Sequence, residues 1–106
     1  MRFDTPVYFE RIKSEYITDT GNYGVSLLES DMRRASVTDS GAQTMMLVYG
    51  ALKQGSLTIR LQRPYYKPFD RIRIGEKFYH VDMKRNLRMK QTFVVSEVQG
   101  NGTNQN

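Results

Sequence analysis

Short segments in which apolar and polar residues alternate, separated by turn residues, constrain the fold of this chain most. In residues 57–61, leucine and isoleucine alternate with polar residues, which is typical of a strand with one buried face. Residues 71–74 and 77–81 alternate in the same way and are joined by Gly75 and a glutamate, which predicts a hairpin. This pattern predicts a mainly β protein, a small barrel or sandwich of about six strands.

The remaining strands are predicted from residue type and from the turns that end them. Residues 6–17 are rich in aromatic and β-branched side chains and end at a turn cluster, residues 19–24. Residues 32–38 predict the second strand, and residues 91–98 the last one. The polar residues 84–88 predict a turn before that last strand.

Residues 39–55 change from a period of two to the helical period of 3.6. Ser40, with Gln43 three residues later, predicts a capping box at the start, and Gly55 predicts a stop. Gly50 opposes a helix because glycine costs roughly 1 kcal/mol relative to alanine. We therefore expect a short helical or loop insertion between the second and third main strands. Its apolar stripe comprises Ala42, Met45, Met46, Tyr49 and Leu52.

This insertion is apolar on more than one side. A helix that buried its stripe against a barrel mouth would leave Leu47 and Val48 outward, which is unfavourable in a monomer. Burial against another subunit would remove this cost, so we expect a homo-oligomer. The candidate contact residues are Ser40, Gly41, Met45, Met46, Leu47, Val48, Tyr49 and Leu52.

A chain of 106 residues has room for one domain. We place it at residues 1–99 and expect the polar residues 100–106 to be disordered. The chain has no cysteine, so disulfides and thiolate chemistry are excluded, while the redox compartment stays open. No apolar run approaches the roughly 20 residues of a membrane span, and we expect no signal peptide.

The formal net charge of +5 is distributed unevenly. Residues 1–59 hold six Lys or Arg against seven Asp or Glu, whereas residues 60–90 hold ten against three. The basic part could face nucleic acid or an acidic partner, or it could be the solvated face of a sheet. The candidate basic surface comprises Arg60, Arg63, Arg71, Arg73, Lys84, Arg85, Arg88 and Lys90.

The residues needed for catalysis are scarce. His80 is the single histidine and lies in a predicted strand, so we expect it on the polar face rather than in a metal or catalytic site. Asp70 and Asp82 are flanked by Lys or Arg, which favours ion pairing. The glycines lack the spacing of a phosphate loop. We therefore expect no enzymatic activity, no metal and no cofactor.

The order of these features resembles the head-closure proteins of long-tailed bacteriophages, also called head-tail joining or stopper proteins. The resemblance covers roughly residues 5–98. The segments that carry it are ASVT at 35–38, LTIRL at 57–61, FDRIRIGEKFYHV at 69–81 and VVSEV at 94–98.

The resemblance implies a small barrel that forms a dodecameric ring under the portal-adaptor protein, in the virion neck, after assembly in the host cytoplasm. Such a ring closes the DNA-filled head and docks the tail through a tail-completion or tail-terminator protein. It also implies that the insertion at residues 39–55 points into the channel as a gate, either blocking it or lining it. Non-specific contact with packaged DNA is expected.

Two alternatives stay open from the sequence. The chain could be a small basic β-barrel that binds nucleic acid, with exposed aromatic residues beside the basic groups; Tyr65, Tyr66, Phe78 and Tyr79 are candidates. It could also be a tail-completion protein, which would differ from a head-closure protein only in its partner.

Overall fold

Alternation of core and surface residues folds the chain into six antiparallel strands. The computed structural model describes residues 2–17 and 21–98, without the side chains of residues 15–17, 22 and 23. Its elements are β1 (Thr5–Ile17), β2 (Asn22–Asp39), α1 (Ala42–Tyr49), β3 (Ser56–Leu61), β4 (Arg71–Ile74), β5 (Lys77–Leu87) and β6 (Lys90–Glu97).

The strands close into a barrel in the order β1, β2, β3, β6, β5, β4, and β4 pairs back with β1. Every neighbouring pair is antiparallel. The predicted fold class is confirmed, including the single short helix between β2 and β3. The predicted two-residue turn between β4 and β5 is also confirmed, and Gly75 has a φ of 60° there, a conformation that favours glycine.

The core is formed by inward-facing residues of all the strands and by one loop. Tyr65 and Phe69 lie in the connection between β3 and β4 and pack into the barrel interior. The Tyr65 ring stacks on Phe9 at 4.2 Å between centroids, and Phe69 meets Phe9 edge-on at 5.0 Å. The buried hydrophobic cluster comprises Val7, Phe9, Ala35, Ile59, Leu61, Tyr65, Ile72, Tyr79, Phe93 and Val95.

A buried carboxylate joins β1 to β4 on the outer face of the sheet. Glu10 is only 2% exposed, and its two oxygens accept hydrogen bonds from Nε of Arg71 at 2.8 Å and Nε of Arg73 at 3.0 Å. The Arg71 guanidinium also stacks over Phe78, and that of Arg73 over Tyr8. These two arginines therefore neutralise Glu10 and hold the short strand β4 in place.

One hairpin, β1–β2, extends beyond the part of the barrel in which every strand has two neighbours. β1 pairs with β4 only over residues 8–10, and β2 pairs with β3 only over residues 36–39. Residues 11–17 and 22–29 thus pair only with each other, and we call them the arm. β5 also continues past the end of β4, over residues 80–87, but its partner β6 stays paired with β3 over residues 91–96.

Two strands are longer than the sequence predicted. β2 begins at Asn22 rather than at residue 32. The sequence did not show its first part, because a bulge at Leu28 interrupts the alternation of side chains. β5 continues to Leu87, so the predicted turn at residues 84–88 is wrong; the turn is at residues 88–89. The predicted tail, residues 100–106, lies outside the described residues, as do residues 18–20 of the predicted loop.

The helix is shorter than residues 39–55, and its caps differ from those predicted. α1 ends at Tyr49 because Gly50 adopts a left-handed conformation, φ 73°, and its N–H donates to the Met46 carbonyl at 3.0 Å. The predicted capping box is wrong. The N-cap is Gly41, which has no side-chain hydrogen bond, whereas the Ser40 hydroxyl bonds across to β3.

Candidate functional site

The insertion between β2 and β3 lies against the outer wall of the barrel. At its end, the Tyr49 hydroxyl donates a hydrogen bond to Oδ2 of Asp82 in β5 and lies 3.4 Å from Oγ of Ser56 in β3. β6 lies between β3 and β5 in the sheet. The carboxyl end of α1 therefore lies over three strands, and its Tyr49 hydroxyl bonds to the outer two.

A cluster of buried hydroxyls forms the floor beneath the insertion. Ser40 and Thr58 are joined through Oγ and Oγ1 at 2.9 Å, and Ser56 donates to the Ser40 Oγ at 2.9 Å. The three residues are 5% exposed or less. The Ser40 N–H also donates to the Ser56 carbonyl at 3.1 Å. The two ends of the insertion are thus fixed to each other, while the helix between them has fewer restraints.

α1 has no buried residue. Met45, Val48 and Tyr49 are half-buried, whereas Leu47 is 82% exposed and Leu52 is 70% exposed. The expectation that Met46 and Leu52 would be buried and Val48 outward is wrong, because the Tyr49 hydroxyl bond turns a different side of the helix toward the wall. The described part of the chain therefore leaves a strongly apolar side of the helix in solvent.

The segment after α1 folds back along it. The Lys53 ammonium lies 4.7 Å from the centre of the Tyr49 ring, and the Lys53 N–H donates to Sδ of Met45 at 3.2 Å. An open cleft separates this segment from the helix and is lined by Ala42, Met45, Leu52 and Lys53, among others. The insertion thus has its own local packing, which is independent of the barrel core.

Tyr49 is a protonated hydrogen-bond donor at neutral pH. Burial raises the pKa of its phenol above the ordinary value, and the hydrogen bond to Asp82 raises it further. His80 Nε2 lies 3.8 Å from the other oxygen of Asp82, and the imidazole is 68% exposed. The prediction that His80 occupies the polar face is confirmed.

The sequence predicted ion pairing for Asp70 and Asp82, and both carboxylates accept hydrogen bonds. Oδ2 of Asp82 accepts a hydrogen bond from the Tyr49 hydroxyl, and Oδ2 of Asp70 accepts one from the Ile12 N–H at 2.8 Å. Asp82 has His80 at 3.8 Å, whereas no described Lys or Arg lies within ion-pair distance of Asp70, so the prediction is wrong for Asp70. Asp70 instead satisfies a backbone donor of β1 at the point where the strand passes beyond β4.

The predicted basic residues do not form one surface. Arg71 and Arg73 are engaged by Glu10, Arg60 is half-buried on β3, and Arg63 follows that strand. The other four are exposed on the β5–β6 hairpin and have no Asp or Glu within ion-pair distance among the side chains that the structure describes: Lys84, Arg85, Arg88 and Lys90.

The described residues were compared with two structural patterns, a metal-ligand cluster and a membrane-spanning helix. Within residues 2–17 and 21–98, no three His, Cys, Asp or Glu side chains come together as a metal site. No helix in those same ranges is long and apolar enough to cross a membrane.

The contacts of Tyr49 with Asp82 and of Ser40 with Thr58 could not be found in the sequence. Their partners are 33 and 18 residues apart, respectively. Which hydroxyl meets which strand depends on the register of β3 and β5. No local pattern of residues carries that information.

Comparison with known proteins identifies the fold and no more. No family model matches the sequence, and no curated protein matches it. The structure is similar to the solution structure of protein SF1141 from Shigella flexneri 2a, determined by a structural genomics consortium. The TM-score is 0.67 with 14% sequence identity, over 93% of this chain and 96% of the other. At that identity the similarity shows the fold alone.

Proposed function

We propose that this chain is a structural subunit of a bacteriophage neck. It forms a ring under the portal-adaptor protein, closes the DNA-filled head and offers the docking surface for a tail-completion or tail-terminator protein. The proposal joins two observations: the resemblance of residues 5–98 to head-closure proteins, and a closed barrel that carries one insertion on its outer wall.

The observation that carries the proposal is the exposed apolar side of α1. Leu47 and Leu52 are 82% and 70% exposed, and exposed apolar groups of this size are typical of surfaces that a partner covers. The Tyr49 hydroxyl hydrogen-bonds to the wall, and the helix is bounded by Gly41 and Gly50. An element with this attachment can move as a unit about its two ends.

In this proposal the insertion serves as the gate or as the contact between subunits, and it either blocks or lines the channel. The basic β5–β6 hairpin faces DNA or an acidic neighbouring protein, since Lys84, Arg85, Arg88 and Lys90 carry no internal ion pair in the described structure. The function needs no catalytic group and is performed by the geometry of the assembly.

Deleting residues 44–52 tests the gate. We expect the barrel to fold, because none of the core cluster residues lies in that segment. Heads assembled with the deleted protein should lose DNA, measured as the fraction of genomes that nuclease can digest. The control is Gln43→Ala, which changes an exposed polar residue of the same helix and should leave DNA retention unchanged.

Three results would count against this function. Unchanged DNA retention in a folded deletion protein excludes a gate. A protein that stays monomeric with the portal-adaptor assembly present, and never joins a neck, excludes the neck altogether. Co-purification with the tail tube alone, and not with the adaptor ring, would identify a tail-completion protein instead.

The basic hairpin supports a second candidate function, the binding of nucleic acid by the isolated barrel. Four cations without internal partners could contact phosphates, and such binding weakens steeply as salt is raised because counterions are released. Experiments on the purified protein distinguish the two functions. Salt-dependent binding to DNA, together with failure to join any neck assembly, would favour the binding module.

A further inference from the structure

The outer wall formed by β2, β3, β6 and β5 carries one cation on each strand. Arg60 of β3 pairs with Thr92 of β6, and Thr92 in turn pairs with Arg85 of β5. Paired residues lie on the same face of a sheet, and Thr92 alternates with the core residue Phe93, so this row faces outward. On β2 and β6 the cations lie two residues from the row. We call the four residues the cationic wall: Arg34, Arg60, Lys90 and Arg85.

The charge of the cationic wall is not neutralised from within the described part of the chain. No Asp or Glu whose side chain the structure describes lies within ion-pair distance of the four cations. One acidic side chain, Asp82, reaches the outer side of these strands, and it accepts the Tyr49 hydroxyl beneath α1. The other acidic residues of the four strands occupy inner positions: Glu29, Asp31, Asp39 and Glu97.

The wall across the barrel, formed by β1 and β4, differs in this respect. It also carries two arginines, but Arg71 and Arg73 both donate to the buried carboxylate of Glu10 and stack on aromatic rings. Their charge is used inside the fold, whereas Arg34, Lys90 and Arg85 are exposed and Arg60 is half-buried without an acidic partner in the described structure. The charge of the cationic wall is therefore available to an anion.

The size and the donors of the cationic wall match a phosphate backbone. Its four strands cover three inter-strand spacings, roughly 14 Å. Double-stranded DNA carries one negative charge in about 1.7 Å of its axis, so about eight phosphates lie within this width. A cleft of about 170 Å³ lies between Arg60 and Lys90, and Thr92 also lines it. Arginine, lysine and hydroxyl side chains are the usual donors to phosphate oxygens.

The positions of the aromatic rings argue against a single-stranded ligand. Single strands are bound by stacking their bases on exposed rings beside the cations. Tyr65 and Tyr79 are buried, and Phe78 lies under the Arg71 guanidinium on the other wall. Tyr66 is exposed but belongs to the loop between β3 and β4. The sequence-based candidates for stacking are thus absent from the cationic wall.

An acidic protein fits this wall less well than DNA. Interfaces between proteins have an apolar centre with charges at the rim. Here the exposed apolar side chains lie at the two borders, Met32 on β2 and Met83 and Leu87 on β5, while Arg60 lies on one of the two central strands. This distribution is the reverse of that in a protein interface.

We propose that the cationic wall binds the phosphate backbone of double-stranded DNA, without regard to sequence. The insertion lies on the same wall, because its floor residues Ser56 and Thr58 precede Arg60 on β3. DNA and the insertion therefore meet the barrel from the same side. In the ring proposed above, on which this orientation rests, the wall of β2, β3, β6 and β5 faces the channel.

Binding of the purified full-length protein to a labelled DNA duplex, measured by fluorescence anisotropy over a series of salt concentrations, tests this site. Four phosphate contacts should make log Kd rise with log salt with a slope of about 3 to 4. Arg60→Gln and Arg85→Gln should each lower that slope by about 0.9 and weaken binding several-fold at constant salt. Duplexes of different sequence should bind equally.

The matched control is Lys77→Gln, which removes the same charge from a cation that pairs with Glu97 at the beginning of β5. It should leave the slope unchanged. Equal slopes for the Arg60→Gln, Arg85→Gln and Lys77→Gln proteins would overturn the proposal, and so would the absence of salt-dependent binding. Tighter binding to a single strand of the same sequence, or to polyglutamate, would also overturn it and would identify single-stranded nucleic acid or an acidic protein as the partner.

Failure of the DNA site and failure of the neck function give different results. Protein that joins a neck but binds DNA with the same slope in all three variants would overturn the cationic wall and leave the neck function standing. DNA binding that requires Arg60 and Arg85, in a protein that never joins a neck, would support the cationic wall and overturn the neck function.

Discussion

Tyr65 shows how one loop residue can close the core and also fix a strand. Its ring stacks on Phe9, its backbone N–H donates to Oε1 of the buried Gln91 at 2.7 Å, and its hydroxyl donates to Oδ2 of Asp31 at 2.6 Å. Burial, and then the bond to Asp31, raises the pKa of Tyr65 to about 12. The same hydrogen bond is the main cause that lowers the pKa of Asp31.

These shifts predict how stability depends on pH at Tyr65. The phenol holds its proton more tightly in the folded state, so its contribution is complete below about pH 10 and is lost as pH rises toward 12. Tyr65→Phe should destabilise the barrel by about 1 to 2 kcal/mol at neutral pH, through loss of the hydrogen bond. Urea denaturation at pH 7 and pH 11.5 measures both effects, and the difference between the two proteins should shrink at the higher pH.

At acidic pH, the hydrogen bond between Tyr65 and Asp31 makes stability fall as the pH is lowered, the opposite direction to the effect at alkaline pH. The pKa of Asp31 is lowered in the folded state, so its contribution is present above the ordinary value of 3.8 and is lost as pH falls below it. Tyr65→Phe should therefore also flatten the acid limb of the stability profile. A constant difference between the two proteins from pH 3 to pH 11.5 would show that the Tyr65 hydrogen bond contributes nothing.

At the scale of elements, alternation predicted β3 and the β4–β5 hairpin, and residue type predicted β1 and β6, whereas the first part of β2 and the last part of β5 were not predicted. β3 and the β4–β5 hairpin have one core face and a glycine turn, and both are where the sequence placed them. Residues 84–87 lie beyond the end of β4 and are all exposed, so their polar residues gave no strand signal. The candidate site was predicted only as a segment, since its contacts depend on strand register.

Helix α1 should depend on the Tyr49 hydroxyl for its position. Tyr49→Phe removes the hydrogen bond to Asp82 and keeps the ring beside Lys53. Because no residue of α1 is buried, we expect its amides to lose protection from hydrogen exchange while the β3 and β6 amides keep theirs. Hydrogen exchange followed by NMR or mass spectrometry measures this directly.

Tyr66→Phe is the control for that experiment, because this tyrosine is exposed and lies outside the insertion. It should leave the exchange of α1 unchanged. Equal protection of α1 in the wild-type and Tyr49→Phe proteins would mean that the half-buried Met45 and Val48 hold the helix without the hydroxyl.

At the scale of the whole molecule, hydrogen bonding between strands is uneven. The barrel strands have partners on both sides, whereas the arm beyond residue 11 has only its own two strands, and the described chain measures 48 × 29 × 20 Å. We predict that in dilute protein the arm amides exchange faster than those of β3 and β6. They should become protected when the protein self-associates.

Hydrogen exchange at two protein concentrations checks this prediction, with the core strand β3 as the internal reference. Arm amides that are as slow as those of β3 in the monomer would mean that the arm is stable alone. A concentration effect on β3 equal to that on the arm would indicate a general change in stability rather than coverage of the arm.

The hydroxyl cluster under the insertion also determines what happens if α1 leaves the wall. Ser40, Ser56 and Thr58 bond to one another while they are covered, and each can bond to water once it is uncovered. A wall of leucine side chains at this place would have to be wetted at a much higher free-energy cost. These hydroxyls can therefore be uncovered at low cost, while Val94, which pairs with Thr58 on the same face and is 1% exposed, adds one apolar side chain to the wall. Because no residue of the core cluster lies in the helix, both positions of the helix are compatible with one folded barrel.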